Sequence, residues 1–260
     1  MREDERERYG RQLLLPGMDE AAQERLRAGR VLVVGAGGLG SPALYYLAAA
    51  GVGHLSIADG DVVELGNLQR QILHTTQDIG RPKVESAAEK LRALNPDIEV
   101  TPLQMMVNAD NAYELIKGFD VVLIAVDNIE ARFAINDACV SLEKTFVCAS
   151  ITRFCGQTMT IAGGKTPCYR CLFPIQPPAE AVPSASMTGI FGPVAGVFGV
   201  IQASEVIKVI AGVGRPHYGR LISIDLFHGT FDETEMERDP YCPACGDYPL
   251  ASPSGSGSVC

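Results

Sequence analysis

Short apolar runs and helical patterns alternate along the first half of the chain. The run Arg30–Val34 is apolar, rich in β-branched residues and followed by glycines, which is typical of a strand buried on both faces of a parallel sheet. An Ala- and Leu-rich helix is predicted next, over residues 39–50, with Pro42 in its first turn, where proline is tolerated. Further strands are predicted at 54–58, 99–102, 121–125 and 145–148, and further helices at 82–94, 109–117 and 129–140.

The pattern changes after about Ser150, where strand-like stretches at 157–161 and 220–224 flank a Pro-rich segment and an apolar helix. Strands that alternate with helices imply right-handed crossovers. The sequence therefore predicts an α/β fold with a doubly wound, mostly parallel, Rossmann-like sheet and a C-terminal antiparallel extension. We predict a helical segment at residues 1–29, a single nucleotide-binding domain at 30–247 and a flexible tail at 248–260.

Composition and charge exclude some classes of partner. The chain has 22 Lys and Arg against 31 Asp and Glu, a net charge of -9, which excludes a polyanionic nucleic-acid partner. The first residues are charged where a secretory signal would be apolar, so we expect a cytoplasmic protein. The most apolar run, at 194–211, contains Gln202, Glu205 and Lys208, so we expect a buried helix there and no membrane span.

A glycine-rich loop joins the first predicted strand of the sheet to the helix that follows. Gly35, Gly37, Gly38 and Gly40 allow a tight turn and let backbone N–H groups approach a phosphate. Asp59 ends the next predicted strand, where it can accept hydrogen bonds from ribose hydroxyls. These residues predict a nucleotide site. NAD is the usual ligand of this pattern, and a tight turn without any ligand is the simpler alternative.

Charged and amide side chains after the second strand bear on which nucleotide is bound. The acidic turn Asp59-Gly60-Asp61 is followed by Asn67-Leu68-Gln69-Arg70-Gln71 and then by Lys83. Hydride transfer has little use for so many donors beside the nucleotide. Cleavage of ATP between its α- and β-phosphates requires cationic and amide donors and a carboxylate-held Mg²⁺. We therefore interpret Asn67, Arg70 and Lys83 as donors to the phosphates of ATP.

Asp127 lies two residues after the end of the strand predicted at 121–125, at the edge of the sheet where ligands bind in open α/β folds. It is the predicted Mg²⁺ ligand. Two simpler interpretations stay open: Asp127 can cap the helix that follows, and Arg70 and Lys83 can be solvated surface charges.

Two Cys-x-x-Cys pairs lie about 70 residues apart, and each pair can give two thiolates to one tetrahedral ion. They predict a structural zinc site that clamps the loop-rich second half of the chain. A redox-active pair is the alternative, but such a pair normally opens a helix of a thioredoxin-like unit, and two would be redundant. The predicted zinc ligands are Cys168, Cys171, Cys242 and Cys245, whereas Cys139 and Cys148 are expected in the core.

Several of these motifs occur together and in order. They are Arg8-Tyr9-Gly10-Arg11-Gln12, the glycine loop, the acidic turn, the segment from Asn67 to Gln71, Lys83, and Asp127 with Arg132 and Asn136. Over residues 8–247 the chain resembles the MoeB/ThiF family, the ubiquitin-activating-enzyme-like adenylyltransferases of sulfur carrier proteins. The resemblance implies that ATP and Mg²⁺ are used to adenylate the C-terminal Gly-Gly carboxylate of a small β-grasp carrier of the MoaD or ThiS kind, with release of pyrophosphate.

The resemblance also implies roles for single residues. Asp59 matches the acid that binds the ribose, and Asp127 matches the metal ligand. Arg11 matches an arginine that reaches the active site of the neighbouring subunit, which implies a homodimer. The implied catalytic residues are Arg11, Asn67, Arg70, Gln71, Lys83 and Asp127, and the implied nucleotide-binding residues are Gly35, Gly37, Gly38, Gly40, Asp59, Asp61, Asn67, Arg70, Lys83 and Asp127.

The chain departs from the family at one position. Members that transfer sulfur through themselves carry a cysteine where this chain has Ala185. The departure favours an enzyme that stops at the adenylate or passes it to a separate sulfur donor. Cys155 and Cys260 are the possible substitutes, although Cys155 is expected at a strand start and Cys260 on the tail.

Three other functions remain to be weighed. An NAD-dependent oxidoreductase would use the glycine loop and leave the basic residues as surface charge. A non-catalytic, zinc-stabilised scaffold for a β-grasp partner would not need Arg70, Lys83 and Asp127, which are all present. The dehydratase branch of the family, which acts on a tRNA-linked carboxylate, fits poorly with the acidic balance. The pathway of the carrier, molybdopterin, thiamin or another, stays open.

Overall fold

The computed structural model describes residues 1–178 and 188–248. The chain begins with two helices. Helices α1 (Glu3–Leu13) and α2 (Glu20–Ala28) pack on the sheet domain that follows. Tyr9 anchors α1: it is buried, and its hydroxyl accepts a hydrogen bond from Asn95 Nδ2 at 2.9 Å. Both helices therefore lie in the segment 1–29, as the sequence predicts.

The parallel half of the sheet comes first along the chain. Five strands pair in parallel, and the helices lie in the connections between them. The strands are β1 (Arg30–Val34), β2 (His54–Ala58), β3 (Glu99–Leu103), β4 (Val121–Ile124) and β5 (Thr145–Thr152), and the helices are α3 (Gly40–Ala49), α4 (Lys83–Leu94), α5 (Ala112–Ile116) and α6 (Ile129–Ser141). Two short 3₁₀ turns, Leu65–Asn67 and Thr76–Asp78, lie between β2 and α4.

The antiparallel half continues from β5. Strands β6 (Cys155–Ala162), β7 (Arg220–Asp225) and β8 (Thr230–Glu235) add to it in turn, each antiparallel to the one before. Helices α7 (Tyr169–Leu172) and α8 (Gly192–Ala211) lie in the long connection between β6 and β7. The predicted fold class, a mostly parallel doubly wound sheet with an antiparallel C-terminal extension, is confirmed.

The strand order β3-β2-β1-β4-β5-β6-β7-β8 creates a switch point next to β1. From β1 the chain moves outward to β2 and β3 and then returns to β4 on the other side. In such sheets a crevice opens at the carboxyl ends of the two central strands, and ligands bind there. Here the glycine loop follows β1 and Asp127 follows β4, so both lie at this crevice.

The main differences from the predicted elements have local causes. Helix α5 begins at Ala112 because Asn108 and Asn111 hold the preceding residues in side-chain turns: Asn111 Oδ1 accepts from Asn108 N–H, and Asn108 Oδ1 accepts from Asp110 N–H, each at 2.9 Å. Strand β5 runs beyond the predicted residue 148 because it forms a tight hairpin with β6, pairing Thr152 with Cys155.

Two hydrophobic layers cover the faces of the sheet. Along β1, Val31 and Val33 point into the layer formed with α2, α3, α4 and α8, while Leu32 and Val34 point into the layer formed with α5 and α6. The alternation is that of a strand buried on both sides, which is why the run is apolar throughout.

Helix α8 is the one helix, among residues 1–178 and 188–248, that is long and apolar enough to cross a membrane by length and composition. Half of that apolar stretch is buried inside the fold, against α3, β5 and β6. Its polar residues have partners there: Gln202 Nε2 donates to Ile124 O at 2.9 Å, and Glu205 accepts from Thr160 Oγ1 at 2.6 Å. These contacts are those of a core helix.

Candidate functional site

The glycine loop is shaped by the space around it. Gly35 has a φ of 103°, and a methyl group built on it would lie 2.6 Å from Ala125 O. A methyl group on Gly40 would lie 1.9 Å from Gly35 O. These two glycines therefore let β4 and the start of α3 approach β1 closely.

The same loop presents free backbone donors. Within the part of the chain that the structure describes, the N–H groups of Gly37, Gly38 and Leu39 form no hydrogen bond. The peptide group between Gly35 and Ala36 is held in place, because the Ala36 N–H donates to Asp59 Oδ2 at 2.8 Å. Successive free N–H groups before a helix form a binding site for an anion such as a phosphate.

Arg70 and Gln71 lie over this loop. A methyl group built on Gly38 would lie 3.5 Å from Arg70 Cγ, and one on Gly37 would lie 3.6 Å from Gln71 Nε2. The Arg70 guanidinium donates to Gly66 O at 3.1 Å, which leaves it further N–H groups for a ligand. Gln71 is buried and its Oε1 has no partner among the described residues. Asn67 lies in the turn before them, where its Oδ1 accepts from Glu64 N–H at 3.1 Å.

Lys83 is the first residue of α4, and its side chain is only 7% exposed. Its ammonium group donates to Asp61 Oδ2 at 2.8 Å, and the Asp61 side chain is 62% exposed. Asp61 is in turn linked to Asp59, the predicted ribose-binding residue, because the Asp61 N–H donates to Asp59 Oδ1 at 2.8 Å. A buried ammonium with one exposed partner has donors left for an anionic ligand.

Asp127 is exposed after β4 and has no hydrogen bond or ion pair to the described residues. The cap of α6 is Asn128, whose side chain accepts from Ala131 N–H at 3.0 Å, so the alternative interpretation of Asp127 as the helix cap is wrong. The loop is held from below by Arg132, which donates to Val126 O at 2.8 Å. A free carboxylate at the crevice suits the oxygen-ligand preference of Mg²⁺.

Arg11 is not brought to this site within the chain. It is exposed near the end of α1 and forms no hydrogen bond or ion pair with the described residues. The neighbouring Gln12 is anchored, donating to Gln23 Oε1 at 2.7 Å and Ala50 O at 3.2 Å. The helix is thus fixed while the Arg11 side chain remains outside.

The four cysteines of the two pairs meet in one cluster, and their sulfur atoms all lie within 4.8 Å of one another. Cys168 and Cys242 sulfurs are 3.6 Å apart, and Cys171 and Cys245 sulfurs are 3.4 Å apart. The hydrogen bond between Cys168 and Cys171 lowers the pKa of Cys171. Four sulfurs at these separations, with one easily ionised, fit a tetrahedral ion such as Zn²⁺.

The other cysteines lie elsewhere. Cys139 and Cys148 are buried in the core, where burial raises the pKa of Cys148 to about 11. Cys155 does begin a strand, and partial burial together with the Asp225 carboxylate raises its pKa, which disfavours a nucleophilic thiolate. Ala185, Cys260 and all but the first residue of the predicted tail lie outside the described residues.

His74 belongs to this region and is not among the predicted site residues. It is buried beneath the glycine loop, with Nε2 2.9 Å from Ala36 O. A single histidine among apolar and polar neighbours carries no sequence pattern, and its partner lies 38 residues away. Only its position close after the donor segment at 67–71 could have drawn attention to it.

Comparison with known proteins places the chain in a family. The ThiF family profile matches residues 9–244. The sulfur carrier protein adenylyltransferase of Thermus thermophilus is 44% identical over 251 residues, which cover 95% of this chain and 93% of that protein. The SAMP-activating enzyme E1 of Haloferax volcanii is 44% identical over 241 residues, covering 93% and 89%. The adenylyltransferase and sulfurtransferase MOCS3 of Sus scrofa is 45% identical, but the chain spans only 55% of its length.

Solved structures show the same architecture. Escherichia coli MccB with ATP superposes with a TM-score of 0.81 at 24% identity, covering 92% of this chain and 74% of that one. At this identity the likeness shows the fold alone. The two near-full-length relatives and the profile confirm the resemblance of the motifs: the chain is an adenylyltransferase and belongs to the ThiF family.

Proposed function

We propose that this protein uses ATP and Mg²⁺ to adenylate the C-terminal carboxylate of a small β-grasp sulfur carrier protein that ends in Gly-Gly. The observation that carries the proposal is the set of groups around the glycine loop. Arg70 lies next to the loop, the buried Lys83 ammonium is linked to it through Asp61 and Asp59, and Asp127 follows the neighbouring strand β4. The names of the relatives support the same class of substrate.

The reaction requires positioning and charge neutralisation. One oxygen of the carrier carboxylate attacks the α-phosphorus, the bond from that phosphorus to the bridging oxygen breaks, and pyrophosphate leaves with the electron pair. No side-chain nucleophile or proton transfer is needed. Arg70 and Lys83 neutralise the phosphate charge, and Asn67 and Gln71 add amide donors. Asp127 would hold Mg²⁺, which supplies charge neutralisation when bound, and Asp59 would hold the ribose.

We also propose a path for the carrier tail. A trough of about 240 Å³ lies on the antiparallel half of the sheet, at the same edge as the crevice. Polar side chains on β5, β6 and β7 line it, among them Thr152, Gln157 and Asp225. An extended Gly-Gly tail has no side chains to exclude and can lie in such a trough with its carboxylate toward the nucleotide.

The assembly is part of the proposal. A homodimer would bring Arg11 of one subunit to the crevice of the other, and Zn²⁺ would occupy the four-cysteine cluster. Sulfur would come from a separate donor, and we expect a cytoplasmic enzyme. An NAD-dependent oxidoreductase is not supported, because hydride transfer does not require Lys83, Arg70 and Asp127.

The test is carrier-dependent exchange of labelled pyrophosphate into ATP, with a MoaD-like carrier ending in Gly-Gly. Asp127→Ala and Lys83→Ala should each lower the exchange rate by at least about 100-fold, because each removes a charge that stabilises the transition state. Lys117→Ala is the matched control, since Lys117 is exposed and, among the described residues, pairs with Glu114 alone. A carrier without the Gly-Gly dipeptide should give no exchange. Near-normal exchange in both site variants would refute the assigned roles.

A further inference from the structure

His74 lies between the glycine loop and α4 and is hydrogen-bonded on both sides of its ring. Its Nε2 is 2.9 Å from Ala36 O, and its Nδ1 is 2.9 Å from Ser86 Oγ. A carbonyl oxygen can only accept, so Nε2 carries the proton and Nδ1 accepts from the Ser86 hydroxyl. The two contacts therefore fix one tautomer of a neutral ring.

The hydrogen bonds beyond Ser86 are consistent with donation from the Ser86 hydroxyl to His74. Lys90 Nζ donates to Ser86 Oγ at 2.8 Å and to Asp78 Oδ2 at 2.6 Å. Because an ammonium group has no acceptor, Ser86 accepts from Lys90, and it can donate its own proton to Nδ1 of the neutral His74 ring. Ser86, His74 and Asp78 are all buried, so no solvent competes with these bonds.

The ionisation of the groups agrees with this direction. Burial lowers the pKa of His74, and the nearby ammonium groups of Lys90 and Lys83 lower it further, against the hydrogen bond to Ala36 and the charge of Asp78. Burial alone would raise the pKa of Asp78, but the hydrogen bonds from Lys90 and Thr75 outweigh it and lower that pKa. The ring is thus neutral, and the carboxylate is charged, at neutral pH.

The contact with Ala36 determines the direction of the next N–H group. The carbonyl of Ala36 and the N–H of Gly37 belong to one planar trans peptide, in which they point in opposite directions. Holding Ala36 O toward His74 therefore turns the Gly37 N–H away from His74, and this N–H has no partner among the described residues. On its other side Ala36 is held by Asp59, because the Ala36 N–H donates to Asp59 Oδ2.

We propose that His74 is a positioning residue for phosphate binding, which holds the Ala36–Gly37 peptide so that the Gly37 N–H faces the anion. That the anion is a phosphate of ATP rests on the proposed function. His74 itself lies under the loop and acts through the peptide, without contact to the ligand.

Two substitutions distinguish the hydrogen bond at Nε2 of His74 from the hydrogen bond at Nδ1. His74→Gln places an amide N–H near the position of Nε2 and can keep the bond to Ala36, whereas His74→Asn reaches only the position of Nδ1 and keeps the bond to Ser86. Both remove the same imidazole. We expect His74→Asn to raise the dissociation constant of Mg-ATP about tenfold and His74→Gln to stay within about threefold of wild type. Calorimetric titration with Mg-ATP measures this.

Amide hydrogen exchange without nucleotide gives a second readout. The amide of Ala36, whose N–H donates to Asp59, should exchange faster in His74→Asn than in His74→Gln. If His74→Asn does not fold, Ser86→Ala replaces it: the loss of the donor to Nδ1 should also speed exchange in the loop and weaken Mg-ATP binding. Equal loop exchange and equal Mg-ATP affinity in the two His74 variants, or wild-type values in Ser86→Ala, would overturn the proposal.

The two proposals fail in different ways. If the wild-type protein does not bind Mg-ATP, the proposed function is wrong, while the exchange experiment still tests the role of His74 in the loop. If the wild-type protein binds Mg-ATP and the two variants match it, the role of His74 is wrong and the proposed function stands.

Discussion

At Gly40 a side chain has no room, because a methyl group there would lie 1.9 Å from Gly35 O. At Gly37 the nearest atom to such a methyl group, Gln71 Nε2, is 3.6 Å away, which is ordinary van der Waals contact. The backbone at Gly37 is also not in the left-handed region. Two glycines of one motif are therefore required for different reasons, the first by packing and the second by access to the loop.

Alanine substitutions should separate these reasons. Gly40→Ala should destabilise the protein by about 3 kcal/mol or more, because backbone atoms must move to admit the methyl group. Gly37→Ala should leave the melting temperature nearly unchanged and weaken Mg-ATP binding at least about tenfold, because the methyl group stands at the free N–H groups. Thermal unfolding and titration of the same two samples measure both effects. A stable Gly37→Ala protein with wild-type affinity would contradict a phosphate site at this loop.

At the scale of elements, α6 joins the crevice to the cysteine cluster. Its first turn carries the Asn128 cap and Arg132, which holds the loop before it. One turn further, Asn136 Oδ1 accepts from Tyr169 N–H at 3.0 Å, next to Cys168. The Arg132 guanidinium also lies 5.5 Å from the centre of the Tyr169 ring. Disorder in the first cysteine pair would therefore reach the loop that carries Asp127.

Loss of the metal should show this link. Cys171→Ser, or treatment of the wild-type protein with a strong chelator, should lower the melting temperature by about 10 °C and speed amide exchange in residues 126–132. Cys155→Ser is the control, because Cys155 lies outside the cluster. Zinc content by mass spectrometry, thermal unfolding and hydrogen exchange check the three parts. A zinc-free protein with an unchanged melting temperature would show that the cluster is not a structural metal site.

At the scale of the whole molecule, the proposed homodimer depends on helix α1. The helix is anchored through the buried Tyr9, whereas Arg11 on the same helix is exposed. An anchored helix whose exposed guanidinium has no partner among the described residues is suited to act on a neighbouring subunit, as the proposed homodimer requires.

Mixing variants tests this arrangement. Arg11→Ala and Asp127→Ala should each be inactive in pyrophosphate exchange when pure. If Arg11 acts across the interface, a mixed dimer has one complete site, so an equal mixture after subunit exchange should recover on the order of a quarter of wild-type activity. Arg6→Ala changes another exposed arginine of α1, which pairs with Glu20 of α2, and this variant should be active alone. A mixture as inactive as its parents would place Arg11 within its own subunit or outside the reaction.

The sequence predicts well what depends on local patterns. Strands β1 and β2 have the predicted bounds because they alternate into two buried layers and end at glycine or acidic residues. The spacing of the two cysteine pairs predicts that the four cysteines lie together, and they do meet in one cluster.

Features that depend on distant contacts are less visible in the sequence. Strand β8 consists of exposed residues and has no apolar run, so only its pairing with β7 defines it. The pairing of Lys83 with Asp61 and the contact of His74 with Ala36 join residues that are 22 and 38 positions apart, and no periodicity relates them. The cap of α6 at Asn128 in place of Asp127 is a choice between two adjacent residues that only the backbone geometry decides.

Strand β8 forms one outer margin of the eight-stranded sheet, and its side away from β7 pairs with no strand among the described residues, so this edge can template further strands. Three of its six residues, Asp232, Glu233 and Glu235, are acidic, and all six are exposed. A second β8 laid alongside would bring like charges together, which opposes edge-to-edge polymerisation. The acidic residues that make this strand hard to predict from the sequence therefore also oppose aggregation through the edge of the sheet.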